Sequence, residues 1–172
     1  GKPTLLGSPI PINSADEHIF GVSLLNDWSA RDIQSWEYQP LGPFLAKSFA
    51  TSISPWITPM AALEPFRVPM RPRPATDRKP LPYLTSRTNK SRQTIDIKME
   101  VLISTRTMRD NKLTPFLLSQ SNLRDLYWSP AQLIAHHTSN GCNLQVGDIL
   151  ATGTLSGPAE SSAGCLLELT RN

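Results

Sequence analysis

One short segment, residues 26–38, concentrates side chains that can do chemistry. Asp27, Arg31 and Gln34 are spaced i, i+4 and i, i+3, so on a helix they share one face, and the phenol of Tyr38 follows closely. A carboxylate is a ligand for a hard cation, and a guanidinium offers a fork of N–H donors to an anion. The segment is therefore a candidate site for a cation and an anionic substrate together. The alternative is a solvated helix face with an Asp27–Arg31 ion pair, the commoner fate of such a pair.

Short helices must carry these side chains, because the chain contains 16 prolines and proline is poorly tolerated inside helices and central strands. We expect the first helix over residues 26–34. Its other side, formed by Trp28, Ile33 and Trp36, is apolar or aromatic and is predicted to face a core.

The terminal signals of a second helix predict it at residues 130–139. Ser129 is suited to be its N-cap, and Pro130 is suited to the first helical position. Asn140 and Gly141 supply the stop.

Four segments have strand-like patterns. Residues 19–25 form a continuous apolar run, which is typical of a buried strand, and residues 94–104 alternate like a half-buried strand. Residues 148–152 and 165–169 are two shorter candidates. With few helices, these strands predict a β-rich α+β fold in one domain, residues 1–172, since a chain of 172 residues can bury one core.

The composition argues against several function classes. No apolar run approaches the length of ~20 residues that crosses a bilayer, and we expect no signal peptide. Cys142 and Cys165 have no CxxC or Cys/His spacing, so a zinc site is not expected. We expect them to be buried free thiols in a cytoplasmic protein.

The net charge of +3 is spread evenly except for a basic, proline-rich stretch between Arg67 and Arg92. A nucleic-acid patch is one interpretation. A solvated surface excursion suits interleaved prolines better, and no nucleic-acid motif accompanies the charges. We therefore expect neither a nucleic-acid partner nor a membrane.

A specific set of motifs occurs along the chain in a fixed order. They are Asn26-Asp27-Trp28-Ser29-Ala30-Arg31-Asp32, Gly42-Pro43-Phe44-Leu45-Ala46-Lys47-Ser48-Phe49, Ser54-Pro55-Trp56, Asn140-Gly141-Cys142-Asn143-Leu144 and Gly153-Thr154-Leu155-Ser156-Gly157-Pro158. Together they resemble the catalytic C-terminal domain of the fumarylacetoacetate hydrolase (fumarylacetoacetase) family. The resemblance runs from about Pro9 to Leu169 and is weakest at residues 66–93 and 105–120.

The resemblance implies a mixed β-sandwich roll and a homodimer. It also implies metal-dependent hydrolysis of a carbon–carbon bond in a β-diketone, with Mg²⁺ and/or Ca²⁺ as cofactor. The reaction would convert 4-fumarylacetoacetate to fumarate and acetoacetate, the last step of tyrosine and phenylalanine catabolism.

The roles implied by the resemblance fall on motif positions. Three residues match positions at the metal: Asp27, Lys47 and Thr51. Three match catalytic positions, namely Arg31, Lys47 and Glu168, and Glu168 is the carboxylate that orients the general-base histidine. Substrate contacts are matched by Gln34, Tyr38 and Thr154. Glu168 has an equally good structural interpretation as the outward residue of a strand. Gly153-Thr154 could equally serve a turn.

Two departures from the family pattern stand out. Ala50 stands where the family pattern has a glycine. The methyl group of alanine would crowd the site if that position needs positive φ. The family's general-base histidine and its other acidic metal ligands lie N-terminal to everything in this sequence, and His18, His136 and His137 match other positions. We therefore expect this chain to hold half a site and to be inactive alone, as a fragment or a truncated product.

Two alternatives remain open at this stage. One is a related hydrolase or decarboxylase acting on another 2,4-dioxo acid, such as an acylpyruvate, because the fold serves several specificities. The other is a catalytically inactive domain that acts as a binding or dimerisation module.

Overall fold

The computed structural model describes residues 1–86 and 90–170. The chain forms two compact units. The smaller unit is Phe20–Ala62, and the larger unit combines Gly1–Ile19 with Leu63–Asn172. Helices and small sheets mix in both, which agrees with the predicted α+β class, but the described residues are not β-rich, because helices cover at least as much of them as strands do. That residues 1–172 form one domain stays a prediction.

The smaller unit consists of two short antiparallel ribbons and two helices. Its elements are β1 (Gly21–Val22), β2 (Leu25–Asp27), α1 (Arg31–Glu37), α2 (Leu45–Ser48), β3 (Thr51–Ile53) and β4 (Thr58–Pro59), followed by α3 (Met60–Leu63). Strand β1 pairs with β4, and β2 pairs with β3 in a register that sets Asp27 opposite Thr51. Both helices lie in the chain between the two strands of the β2–β3 ribbon.

The larger unit contains two more antiparallel ribbons, β5–β6 and β7–β8. Its regular elements are β5 (Arg67–Val68), β6 (Thr94–Ile95), β7 (Lys98–Ile103), α4 (Arg106–Asp110), β8 (Phe116–Asn122), α5 (Pro130–His137) and α6 (Leu166–Thr170), with 3-10 helices at Ile12–His18, Glu64–Phe66, Pro82–Leu84, Leu123–Asp125 and Glu160–Ser162. The β-sandwich roll stays a prediction, since the described strands form separate two-stranded ribbons.

Helix α5 forms where its terminal signals predict it. Ser129 Oγ accepts the N–H of Gln132 at 3.1 Å, and Gln132 Oε1 accepts the N–H of Ser129 at 3.0 Å, which completes a capping box. Gly141 ends the segment at φ +88°, a conformation that favours glycine. The prediction of this helix is confirmed.

The core of the larger unit lies under α5. Ile10, Ala15, Ile134 and Leu144 form one buried cluster. Beside it, the hydroxyl of the fully buried Thr138 accepts the N–H of Ile10 at 3.0 Å. The segment before the first 3-10 helix is thereby attached to α5 by apolar packing and by a satisfied buried hydrogen bond.

The strand predictions had mixed outcomes. Residues 94–104 are extended as predicted, but they form two strands rather than one half-buried strand: β6 is buried and β7 is mostly exposed. Residues 19–25 carry only short strands, and Phe20 and Leu24 are each 63% exposed, so the expected buried strand is wrong. Residues 148–152 form no strand, and residues 165–169 fall mainly in helix α6. Strand formation depends on a partner distant in sequence, which a local pattern does not contain.

The helix expected at residues 26–34 forms later in the chain, as α1, Arg31–Glu37. Asp27 instead pairs in the β2–β3 ribbon. Trp28, Ile33 and Trp36 are 48%, 47% and 90% exposed, so the prediction that they face a core is wrong. A unit as short as Phe20–Ala62 has too little chain to enclose such side chains.

The remaining expectations concern the cysteines, the membrane and the basic stretch. Cys142 and Cys165 are free but half-buried rather than buried. Within the described ranges, no helix is long and apolar enough to cross a bilayer. The basic stretch is mostly exposed, yet its first residue, Arg67, has a side chain only 7% exposed and lies 3.4 Å from an Asp16 carboxylate oxygen. Arg87 lies outside the described residues.

Candidate functional site

Strand pairing and helix α2 assemble the first group of predicted site residues. The β2–β3 register sets Asp27 opposite Thr51. The Nζ of Lys47, on α2, donates to Asp27 Oδ2 at 2.7 Å and to Ser29 Oγ at 2.7 Å. Both charged side chains are partly exposed, so solvent screens the pair and its value is positional more than energetic. A carboxylate and an ammonium group are therefore in direct contact in the smaller unit.

Helix α1 places further polar groups in the same unit. The side-chain oxygen Oε1 of Gln34 is buried and accepts no hydrogen bond from the described residues. Such an acceptor is costly to leave without a donor. The guanidinium of Arg31 and the phenol of Tyr38 are exposed and likewise have no partner in the described part of the chain. Arg31 and Tyr38 therefore present exposed hydrogen-bond donors that an anionic group can accept.

Sequence reasoning gave no role to Glu37, the last residue of α1. Its carboxylate accepts the backbone N–H groups of Phe44 at 2.7 Å, Leu45 at 3.3 Å and Ala46 at 2.8 Å. The hydrogen bond from Ala46, with those from Phe44 and Leu45, holds the pKa of Glu37 below its ordinary value against an opposing effect of burial. The three partners of Glu37 lie at the start of another helix, so no local pattern in the sequence identifies this role.

Glu168 and Thr154 lie in the larger unit, where they line one cleft of about 360 Å³ together with Ser156. Glu168 Oε2 accepts the hydroxyl of Ser156 at 2.6 Å and the N–H of Gly164 at 2.8 Å. The Ser156 hydrogen bond, followed by the backbone bonds, lowers the pKa of Glu168 although burial opposes it. This carboxylate is held ionised and ready to accept a further donor.

The histidines are occupied elsewhere, and none in the described residues contacts Glu168. The Nδ1 of His18 lies 2.8 Å from the carbonyl oxygen of Lys2. The Nδ1 of His136 lies 2.7 Å from the hydroxyl of Tyr83, and Nε2 of His137 lies 3.7 Å from the sulfur of Cys142. Each histidine side chain therefore contacts a group other than Glu168.

The donor atoms do not make a complete metal site by themselves. Asp27 and Thr51 offer the hard oxygen ligands that Mg²⁺ and Ca²⁺ prefer. Across residues 1–86 and 90–170, however, no group of three or more His, Cys, Asp or Glu side chains could hold an ion. Ala50 is also not in the positive-φ region, so its methyl group imposes no backbone strain there.

Comparisons with known proteins identify the family of this chain. The family described as fumarylacetoacetate (FAA) hydrolase C-terminal matches residues 6–168. Fumarylacetoacetases of Oryza sativa subsp. japonica and Arabidopsis thaliana are each 53% identical over 172 residues, 100% of this chain. The Homo sapiens fumarylacetoacetase is 49% identical over 170 residues, 99% of this chain. The chain spans 38% of the length of each of these three relatives.

Proposed function

This chain belongs to the fumarylacetoacetate hydrolase C-terminal family, and we propose that it supplies part of the active site of a fumarylacetoacetase. The reaction is hydrolysis of a carbon–carbon bond in 4-fumarylacetoacetate, giving fumarate and acetoacetate in the breakdown of tyrosine and phenylalanine. Relatives that carry this name at about half identity support the proposal. The observation that carries it is the contact between Lys47 and Asp27 in the smaller unit.

The reaction needs positive charge at a defined place. Water adds to a ketone carbon, the carbon–carbon bond breaks, and its electron pair leaves on an enolate that is later protonated. An ammonium or guanidinium group near the developing oxyanion lowers the barrier most when its position is already set. Lys47, held by Asp27 and Ser29, and the exposed Arg31 have this role in our proposal.

Substrate binding is assigned to uncharged polar groups. In our proposal, Gln34 and Tyr38 exchange hydrogen bonds with the substrate, and Thr154 matches a further substrate contact of the family. Glu168 has the role of orienting a general-base histidine, because its ionised carboxylate accepts N–H donors. Asp27 and Thr51 are the proposed oxygen ligands from this chain at a Mg²⁺ or Ca²⁺ site that needs more ligands, and the Lys47 ammonium group lies beside Asp27 at that site.

Family membership also supports three further proposals, on fold, oligomeric state and compartment. The ribbons belong to a β-sandwich roll, the protein acts as a homodimer, and it works in the cytoplasm. Each concerns the full-length protein, meaning the complete product of the gene that encodes this chain.

The test is substitution of Lys47→Met in the full-length protein, with Lys98→Met as the matched control. Lys98 is a surface lysine on β7, 59% exposed, near the Glu100 carboxylate. We expect Lys47→Met to lower kcat for 4-fumarylacetoacetate hydrolysis by at least about a hundredfold, and Lys98→Met to leave it unchanged. Wild-type turnover from Lys47→Met in an active parent would refute the assignment.

A further inference from the structure

We infer that Glu37 is a positioning residue that acts through Lys47, an inference that rests on the proposed function. The carboxylate of Glu37 binds three successive backbone N–H groups at the start of α2, those of Phe44, Leu45 and Ala46. Lys47 is the next residue in that helix.

Helix α2 depends on this carboxylate because it has no cap of its own. The first N–H groups of any helix lack an intrahelical partner. Phe44, at the N-cap position, makes no side-chain capping hydrogen bond. Glu37, seven to nine residues earlier in the chain, fills this role from the last turn of α1.

Ala46 is held from both sides by α1. Its N–H donates to Glu37 Oε1 at 2.8 Å, and its carbonyl oxygen accepts the N–H of Ala30 at 2.9 Å. Ala30 is the N-cap of α1 and Glu37 is its last residue. Ala46 is fully buried. The backbone immediately before Lys47 is therefore fixed against both ends of the helix that carries Arg31 and Gln34.

The three hydrogen bonds to Glu37 use both oxygens of its carboxylate as acceptors. All three contacts need an acceptor, and a carboxylate provides acceptors on both oxygens. The amide of Gln would keep one oxygen acceptor and set an NH₂ group against a backbone N–H. Lys47 Nζ would then leave the position it shares with Asp27 and Ser29, and a displacement of about 1 Å can cost up to about a hundredfold in rate.

The test compares Glu37→Gln with Asp32→Asn in the full-length protein. Asp32 lies on the same helix and is exposed, and its carboxylate makes no hydrogen bond or ion pair with the described residues. The NMR signal of the Lys47 ε-CH₂ group, assigned by its loss in Lys47→Met, reports the position of the side chain. kcat and KM are measured on the same samples, well below the unfolding temperature.

We expect Glu37→Gln to shift the Lys47 signal and to lower kcat about ten- to a hundredfold, with KM changed less than about threefold. Asp32→Asn should change neither. A Lys47 signal that stays in place, or a wild-type kcat beside an impaired Lys47→Met, overturns the inference. A shifted signal together with wild-type turnover from Lys47→Met overturns the proposed function and leaves the positioning contact standing.

Glu37→Asp replaces Glu37→Gln if the latter does not fold. Aspartate keeps the charge but is one methylene shorter, so it cannot reach all three N–H groups in this arrangement. The same shift in the Lys47 signal and the same fall in kcat are expected, and their absence overturns the inference.

Discussion

The two units of this chain hold their residues in place by different forces. In the smaller unit, Ala46 is the only buried residue, and the site residues are held by hydrogen bonds that the Glu37 carboxylate accepts and that the Lys47 ammonium group donates. In the larger unit, an apolar cluster that includes Ile10 and Ile134 packs under a fully capped helix.

This difference predicts different sensitivities. A hydrogen-bonded carboxylate cannot be replaced without losing charge or reach, so substitutions in the smaller unit should change catalysis more than stability. A core position responds to lost volume, so substitutions there should change stability more than catalysis. Substitutions in each unit, measured for both turnover and unfolding, distinguish these two responses.

The isolated 172-residue chain should not hydrolyse 4-fumarylacetoacetate at a useful rate. Glu168 contacts no histidine in the described residues, and loss of a general base removes on the order of 10²–10⁴ in rate. The measurement is the rate of acetoacetate release by the chain and by the full-length protein. Robust activity of the chain would instead identify His18, His136 or His137 as the base.

In the full-length protein, Glu168→Gln and Arg31→Met should each lower kcat by on the order of 10²-fold with little effect on folding. The Glu168 carboxylate is exposed and accepts hydrogen bonds from Ser156 and Gly164, so its replacement removes no apolar packing from a core. The matched control is Glu100→Gln on the exposed face of β7. Equal turnover in all three variants would contradict the site assignment.

Ile134→Ala should lower the free energy of unfolding by about 2–4 kcal/mol, because it leaves a cavity in the apolar cluster of the larger unit. Ile149→Ala, at a position 67% exposed, should cost less than about 0.5 kcal/mol. Urea titration of both variants provides the comparison. A similar loss from both would show that the cluster does not act as a core.

Metal binding by the isolated chain should be weak. Mg²⁺ and Ca²⁺ need about six or more oxygen ligands, and the described residues contain no cluster that could supply them. Titration calorimetry should find no submicromolar affinity. Tight binding abolished by Asp27→Ala would show that further ligands converge on Asp27.

The smallest effect concerns pH. The Ser156 hydroxyl and nearby backbone N–H groups lower the pKa of Glu168 below its ordinary value of 4.5. Its ionised form therefore stabilises the folded chain above pH 4.5, and this contribution is lost as the pH falls through the lowered pKa. Solvent screening keeps the contribution below about 1 kcal/mol. The stability difference between wild type and Glu168→Gln should shrink below pH 4.5 and stay constant near neutrality.

Local signals were enough for some elements and for part of the site. Ser129, Pro130 and Gly141 lie at the ends of the helix they define, so α5 could be predicted from adjacent residues. The motifs around Asp27 and Lys47 identified the family. Residues 148–152 and 165–169 were predicted wrongly as strands, because the pairing partner that makes a strand is not part of its own pattern.

Residue types and short motifs were sufficient to identify the family and the chemistry available to this chain. The helix ends set by capping could also be predicted, because capping depends on neighbours within one turn. The tertiary structure decided that Asp27 lies on a strand opposite Thr51 and that Glu37 caps α2. It also decided that Trp36 stays in solvent. Strand register, capping between elements and burial all depend on which distant segments meet, and only the folded backbone brings those segments together.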